Sequence, residues 1–595
     1  MGGKPPSVWL SCEIDVSSWK LEVAVNTGRF SVLIRSATAT ALLFALTLSG
    51  CTLKQYAGQA DKAAYGALAR GQTTALGESE PFSVEYDPFC SAQDGTDCPI
   101  VVGDKEIPIG GDQPARLTLA ECLEVAFRNS RDLQDRKEDL YEVALSLANT
   151  RRGWDIPLLG GDLDAEIGTS KTDAEPSASD ASASVGPTLT QRLVGGGVIT
   201  LASSVAWATN FLGEGTFADS LLEANFTQPL LRGAWRGLAY EDQYRLERDF
   251  LFEVYDYQRF REEFAADILG RYYNVLRQRD QLEIDSVSIE NQKTTLAVTK
   301  VQVEGGLLSR VDEDRAEQAM LSAQVRYEQN QQQYSNAVDA FKILIGLPIE
   351  ANVELDYPAA LEDLAEVGPR PIGVSEEAAV AIALSARPDV LTERAGFRDA
   401  DRDVEVAADD FLPQLDVEMG ISAAGEEPRD FQKVRFDRNT RFARATFNYE
   451  IDQTDNRDNY RGAMIAYEQA RRDLAEFLDE VTLEVRQAYR ELIQSKQSYE
   501  LQDRSVVIAR RRHKLAQLQQ KEGEASTEDV LDAEEDMRQA ENGRTGALVS
   551  YNNTRIEFLA SLGLISVDEE GRINDRTESF DFKRIAARYP YVAGE

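Results

Sequence analysis

Two stretches of this chain, residues 240–304 and 457–522, contain no proline and one glycine apiece, Gly270 and Gly462, and their apolar residues return at helical spacing. Each reads as a single helix, and at 1.5 Å per residue each runs on the order of 100 Å. A rod of that length cannot cover its own apolar stripe, so other helices must lie beside it. Segments 307–345 and 524–562 return from the rods, and 118–154 and 374–411 precede them. Their lengths suit antiparallel packing, with two shorter helices end to end along each long one.

These segments come in pairs because the chain repeats itself. Gly306 through Gly346 aligns without gaps with Gly523 through Gly563: Ala316-Glu317 meets Ala533-Glu534, Tyr334 meets Tyr551, and Phe341 meets Phe558. Upstream, Ala126–Leu133 lines up with Ala383–Val390. The run Leu163-Asp-Ala-Glu-Ile-Gly168 matches Leu415-Asp-Val-Glu-Met-Gly420. The chain therefore divides into repeats 117–350 and 374–565, joined by a linker at 351–373. Segment 51–116 precedes them and a tail at 566–595 follows. Each repeat reads as helix, strand region, long helix, tight turn and returning helix.

The strand regions, 158–231 and 414–452, alternate with period two. Leu415, Val417, Met419 and Ile421 face one way and Gln414, Asp416 and Glu418 the other; Ala445, Phe447, Tyr449 and Ile451 oppose Arg444, Thr446, Asn448 and Glu450. Ile199, Leu201, Val205 and Trp207 follow the same rule. A membrane β-barrel with an aqueous lumen needs such strands, although a half-buried soluble sheet alternates in the same way. Four strands per chain cannot close a barrel, so several chains must contribute. The first region is the longer, and its Gly195-Gly196-Gly197 turn marks an additional hairpin. The predicted fold is mainly α, with strands that form either part of a transmembrane β-barrel or a half-buried sheet, the barrel being what the resemblance below implies.

Charge and the N-terminus narrow the function. The chain carries 102 acidic against 64 basic residues, a formal net charge of -38. Nucleic acid is excluded as a partner, since its phosphates would be repelled. The longest apolar stretch, within Ala37–Leu48, is far short of the roughly 20 residues of a spanning helix. It follows Arg29 and Arg35 and ends in Leu48-Ser49-Gly50-Cys51, a secretory signal with a lipoprotein cleavage box. Residues 1–50 are expected to be removed, 1–30 reading as a misassigned start. Acyl chains on Cys51 would then hold the protein at a bilayer, at about 0.8 kcal/mol per buried CH₂. Thr52, which is not Asp, favours the outer membrane by resemblance to bacterial lipoproteins. Cys90 and Cys98 bracket a polar loop and either form a disulfide in an oxidising compartment or stay free thiols. Cys122, in an amphipathic helix, is expected to be buried. Segment 52–116 either wraps the outside of the helices or stays mobile, and its Gly, Ser and acidic content favours a loose surface segment.

With these residues in hand, the chain resembles the TolC-like outer-membrane efflux family. The resemblance lies in Leu117-Thr-Leu-Ala-Glu-Cys-Leu-Glu-Val-Ala126 with Asn129, Thr227-Gln-Pro-Leu-Leu-Arg-Gly233, Ala386-Arg-Pro-Asp-Val390, Leu344-Ile-Gly-Leu-Pro348 and Leu562-Gly563, and it covers about 117 to 565. It implies a homotrimer in which four strands per protomer build one twelve-stranded barrel and the helical hairpins build an α-barrel across the periplasm. It also implies docking onto a periplasmic adaptor protein and an inner-membrane pump, with no enzymatic activity and no cofactor or metal. A lipid-anchored periplasmic coiled-coil scaffold without a pore is the alternative, and paired alternating strands are what it would not need.

The same resemblance places a gate at the hairpin tips. Asp529 and Asp532 match two aspartates one turn apart on the tunnel lining, and Asp312 occupies the corresponding place in the first half. Three residues apart on a helix, Asp529 and Asp532 share a face. Copies around an axis would ring the tunnel with carboxylates, attract cations and raise some of their pKa values by crowding. The same acids would otherwise serve as ordinary solvated carboxylates. Gly306, Leu307, Leu308 and Ser309, with Gly523, Glu524, Ala525 and Ser526, match the family's adaptor-docking tips. Trp207, Phe211, Phe217, Phe442, Phe447 and Tyr449 are candidate interfacial girdles. The single histidine, His513, lies in the run Arg510-Arg-Arg-His-Lys514, read as a solvated helix face.

Overall fold

The computed structural model describes residues 53–77, 79, 81–86, 100–102, 105–108, 114–155, 158–172, 175–210, 216–234, 236–369, 374–425, 434–567 and 573–575. Cys51, Cys90, Cys98 and Phe211 lie outside the described residues, as do the predicted signal and most of the tail. In chain order the elements begin with α1 (Leu53–Leu76), β1 (Ile100–Val102), β2 (Lys105–Ile107), β3 (Ala115–Leu117), α2 (Leu119–Asn129) and α3 (Arg131–Asp155). Then come β4 (Leu158–Thr172), β5 (Glu175–Arg192), β6 (Val198–Asn210), β7 (Thr216–Pro229), the single turn α4 (Arg236–Ala239), α5 (Glu241–Glu304) and α6 (Arg310–Leu344). After β8 (Val353–Leu355) and α7 (Ala359–Val367) follow α8 (Glu376–Ala386), α9 (Pro388–Asp409), β9 (Gln414–Gly425), β10 (Val434–Asn448), α10 (Thr454–Glu522), α11 (Thr527–Ser561), β11 (Ile565–Val567) and β12 (Ile573–Asp575). Met1–Lys62 and Ala63–Glu595 form separate units, and every element after α1 belongs to the second.

The two rods are continuous helices of 64 and 69 residues, α5 and α10. The segments before them are not. Instead of one helix over 118–154 and one over 374–411, the chain breaks at Ser130 (φ -65°, ψ 131°) and Arg387 (φ -67°, ψ 127°). At Arg387 the cause is Pro388, which disfavours a helical residue before it. At Ser130 the break makes room for a turn of the returning chain. Gly346 has φ 75°, and a Cβ there would lie 2.3 Å from the Asn129 carbonyl oxygen, so only glycine fits.

Segment 52–116 is not uniformly loose, which corrects the sequence reading. Ala64, Ala67, Leu68 and Ala75 of α1 are buried at helical spacing. Gly71 lets α1 approach α5 so closely that a Cβ would meet the Phe250 ring at 2.2 Å. Tyr86 donates to the Asn129 carbonyl at 2.9 Å and Gln134 to that of Val84 at 2.7 Å, tying residues 84–86 to the α2–α3 break.

One apolar core gathers Val125, Leu133 and Leu140 with Phe264, Ile268, Tyr272 and Leu276 of α5, Phe341 of α6 and Leu355 of β8; Cys122 is buried within it. A second joins Ile382 and Val390 to Val481, Val485 and Leu492 of α10 and to Tyr551 and Phe558 of α11. Each fully buried side chain of this size stabilises by roughly 1.5–3 kcal/mol. Toward the hairpin turns the packing thins to small residues, Ala509 with Ala540 and Ala516 with Ala533.

The strands form one antiparallel sheet in the order β10-β9-β7-β6-β5-β4. Six strands replace the expected four because the longer first region folds into two hairpins, β4–β5 and β6–β7, while the second supplies only β9–β10. Among the described residues no helix is long and apolar enough to cross a membrane.

Candidate functional site

Register decides what each face of the sheet carries. Across β6, β7, β9 and β10, Ile199 pairs with Phe226, Phe226 with Met419 and Met419 with Ala443; beside them run Leu201, Ala224 and Ile421, a row that ends at Arg441 on β10. The intervening residues, Thr200, Asn225 and Gly420 or Thr227, Glu418 and Arg444, occupy the other face. The apolar face is uncovered: Met419 is 47% and Phe447 64% exposed, with Ile199, Leu201, Leu222 and Ile421 similar. A contiguous apolar face open on one side and polar on the other suits a sheet between lipid and water. The strands, 12 to 18 residues long, exceed the roughly 9–11 needed to span a bilayer.

Of the candidate aromatics, Phe447 and Tyr449 are exposed. Phe442 is a correction. Its register partner is Gly420, on the polar face. The ring lies where a Cβ on Gly420 would meet it at 2.4 Å, and Arg444 stacks 5.6 Å from its centre. For Trp207 and Phe217 only the backbone is described.

At the far ends of the hairpins the turns are built alike. Gly306 (φ 72°) and Gly523 (φ 78°) take the left-handed conformation that closes a helix. Leu307 N–H then donates to Gln302 O and Glu524 N–H to Gln519 O, both at 2.8 Å. Leu307 is 77% exposed, whereas Leu308 and Ala525 are half-buried. Ser309 and Ser526 open α6 and α11. Asp312 accepts from the Ser309 hydroxyl at 2.7 Å and its N–H at 3.1 Å; Asp529 accepts from the Ser526 hydroxyl at 2.7 Å and N–H at 2.9 Å. These are helix-capping boxes. Within the single chain the serine hydroxyls hold Asp312 and Asp529 below the usual carboxylate range. Asp532, one turn on, is exposed and takes no part in the cap.

Behind the tips lies a buried polar seam that sequence reasoning missed. His513 is buried rather than solvated, and its Nε2 lies 2.6 Å from Oε2 of buried Glu534, off the line of a hydrogen bond. Asn291 of α5 donates to the other Glu534 oxygen at 2.9 Å. One layer further, Arg538 grips both oxygens of Glu535 at 2.6 and 3.0 Å and reaches buried Asp285, which also accepts from Asn330 at 2.6 Å. Arg326 of α6 completes the group 3.4 Å from Glu535. The Arg538 fork, chiefly, holds Glu535 down at about 2. The signal was present: Val506, Ala509, His513, Ala516 and Gln520 fall on one buried stripe at three- and four-residue steps.

The opposite surface of α10 carries exposed Leu501, Ile508 and Leu515 at seven-residue intervals. Val287, Val301, Leu321 and Val325 are exposed on the first hairpin. A seven-residue apolar stripe is the seam of a coiled coil.

A sheet with one uncovered apolar face thus joins paired helical hairpins with uncovered apolar stripes. Residues 379–564 match the family Outer membrane efflux protein. The fold is that of solved channels. The CmeC outer membrane channel of Campylobacter jejuni aligns with TM-score 0.54 at 17% identity, over 79% of this chain and 89% of that one. CusC aligns at 0.56 and 16%, over 75% and 92%. VceC of Vibrio cholerae aligns at 0.54 and 14%, over 75% and 96%. No curated protein matches the sequence.

Proposed function

We propose that this chain is the outer-membrane exit duct of a tripartite efflux or secretion system, a passive conduit opened at its periplasmic end. Three copies join their sheets into one barrel through the outer membrane and their hairpins into a tunnel in the periplasm. The observation that carries this is the apolar face kept in register over β6, β7 and β9, extended on β10 by Ala443, Ala445 and Phe447, and left uncovered, with a polar face behind it. The family match and the fold shared with CmeC and VceC support it. The exposed seven-residue stripe of α10 supports association of copies. A periplasmic adaptor docks at Gly306–Ser309 and Gly523–Ser526, and an inner-membrane pump supplies the energy.

In this reading Asp532 supplies free charge to the gate, while Asp529 and Asp312 also cap their helices. Asp532→Asn is therefore the clean test, since Asp529→Ala would also lose the reciprocal half of a capping box. In planar bilayers the wild type should pass small, cation-selective currents, and Asp532→Asn should lower the preference for cations by about twofold or more. Inserted trimers that pass no current would instead favour the poreless scaffold. Lipidation belongs to the same proposal: cells given labelled palmitate should label the wild type and leave Cys51→Ser unlabelled, and label retained in the variant would remove the anchor at Cys51.

A further inference from the structure

The sheet ends in β4 on one side and β10 on the other, and among the described residues neither strand pairs on its outer edge. Each is 15 residues long. Rows of unpaired N–H and C=O groups of that length have no place in hydrocarbon, where no water satisfies them, so the edges must meet other strands. β4 follows α3 and leads away from the helices; β10 returns to them and precedes α10. Copies arranged about an axis thus bring β10 of one beside β4 of the next in the antiparallel sense.

The β4–β5 hairpin continues the wall. β5 pairs with β6 from Asp180 opposite Asn210 to Arg192 opposite Val198. Leu189 sits opposite Leu201 and Leu159 opposite Leu189, so the uncovered apolar face runs on to the edge, where Leu159 is 79% exposed. On the other face Asp164 sits opposite Ser184.

We infer that the barrel is closed by β4 of one copy pairing with β10 of its neighbour, so that all six strands of each chain form the wall. This rests on the trimeric reading above. Three sheets of six strands make about eighteen strands, in the range that leaves an open aqueous lumen. Because diameter grows about linearly with strand number, the lumen is roughly one and a half times as wide as twelve strands would enclose.

Disulfide ladders test this in full-length protein whose Cys90, Cys98 and Cys122 have been replaced by serine. One ladder sets cysteines around Asp164 of β4 against cysteines around Thr446 of β10. The other sets cysteines around Ser204 of β6 against the same β10 positions. Oxidation should convert the β4–β10 ladder into covalent trimers on denaturing gels and leave the β6–β10 ladder monomeric. Cross-links from β6 to β10 would mean a twelve-stranded closure with residues 158–192 outside it, and would overturn the inference, as would links within single chains. Native mass spectrometry of the same samples separates the two failures. A monomer overturns the trimer and the closure together, whereas a trimer without β4–β10 links overturns the strand count alone.

Discussion

Glu535 shows how much a single side chain can contribute on a two-helix hairpin that lacks a thick core. Its carboxylate is held by both prongs of Arg538, by Gln539 at 2.8 Å and by Arg326 of α6. Its folded pKa, about 2, lies below the ordinary 4.5. The stabilisation is therefore complete above pH 4.5 and is lost as pH falls toward 2. The Glu535 side chain is 36% exposed, so solvent screening limits the effect to about 1 kcal/mol. Glu535→Gln should lower thermal stability at pH 7 by that amount and flatten the acid limb between pH 4.5 and 2, read by circular dichroism. An unchanged limb would mean that Arg538 is held by Asp285 alone. The capping acids show a limit of reading residues by motif. The Ser-x-x-Asp spacing at 309–312 and 526–529 is visible in the sequence, yet only the hydrogen bonds of the folded chain show that the carboxylates are engaged locally.

At the scale of elements, the uncovered stripe of α10 makes a sharper test of association than any tip residue. Leu501, Ile508 and Leu515 are more than half exposed in the single chain, so replacing all three by serine removes little packing within it. The variant should keep its far-ultraviolet dichroism and lose the proposed trimer, measured by native mass and by the heat needed to dissociate it in detergent. A trimer of unchanged heat stability would place the seam elsewhere. The helices themselves are legible within a few residues, because a stretch without proline and with one glycine has few alternatives. Their breaks are less so. Pro388 announces one, but Ser130 carries no comparable mark, since the break there depends on a turn arriving from Gly346, distant in sequence.

At the scale of the whole molecule, the strand count separates local from tertiary information. Alternation identifies the strands, and the Gly195-Gly196-Gly197 turn flags an extra hairpin, yet alternation does not say which strands pair in one sheet, and the expectation stays at four. The sheet has six, since β5 finds its partner in β6 along a full register. Likewise His513 reads as solvated beside Arg510, Arg511 and Arg512, and only the packing of α10 against α11 turns it toward Glu534. The sequence by itself determined the helices, their turns, the alternating strands and the family resemblance, all of which depend on residues near one another in the chain or on a pattern repeated along it. The tertiary structure alone decided which strands share a sheet, which face of each helix is covered and which charges meet, because those depend on surfaces brought together from distant parts of the chain.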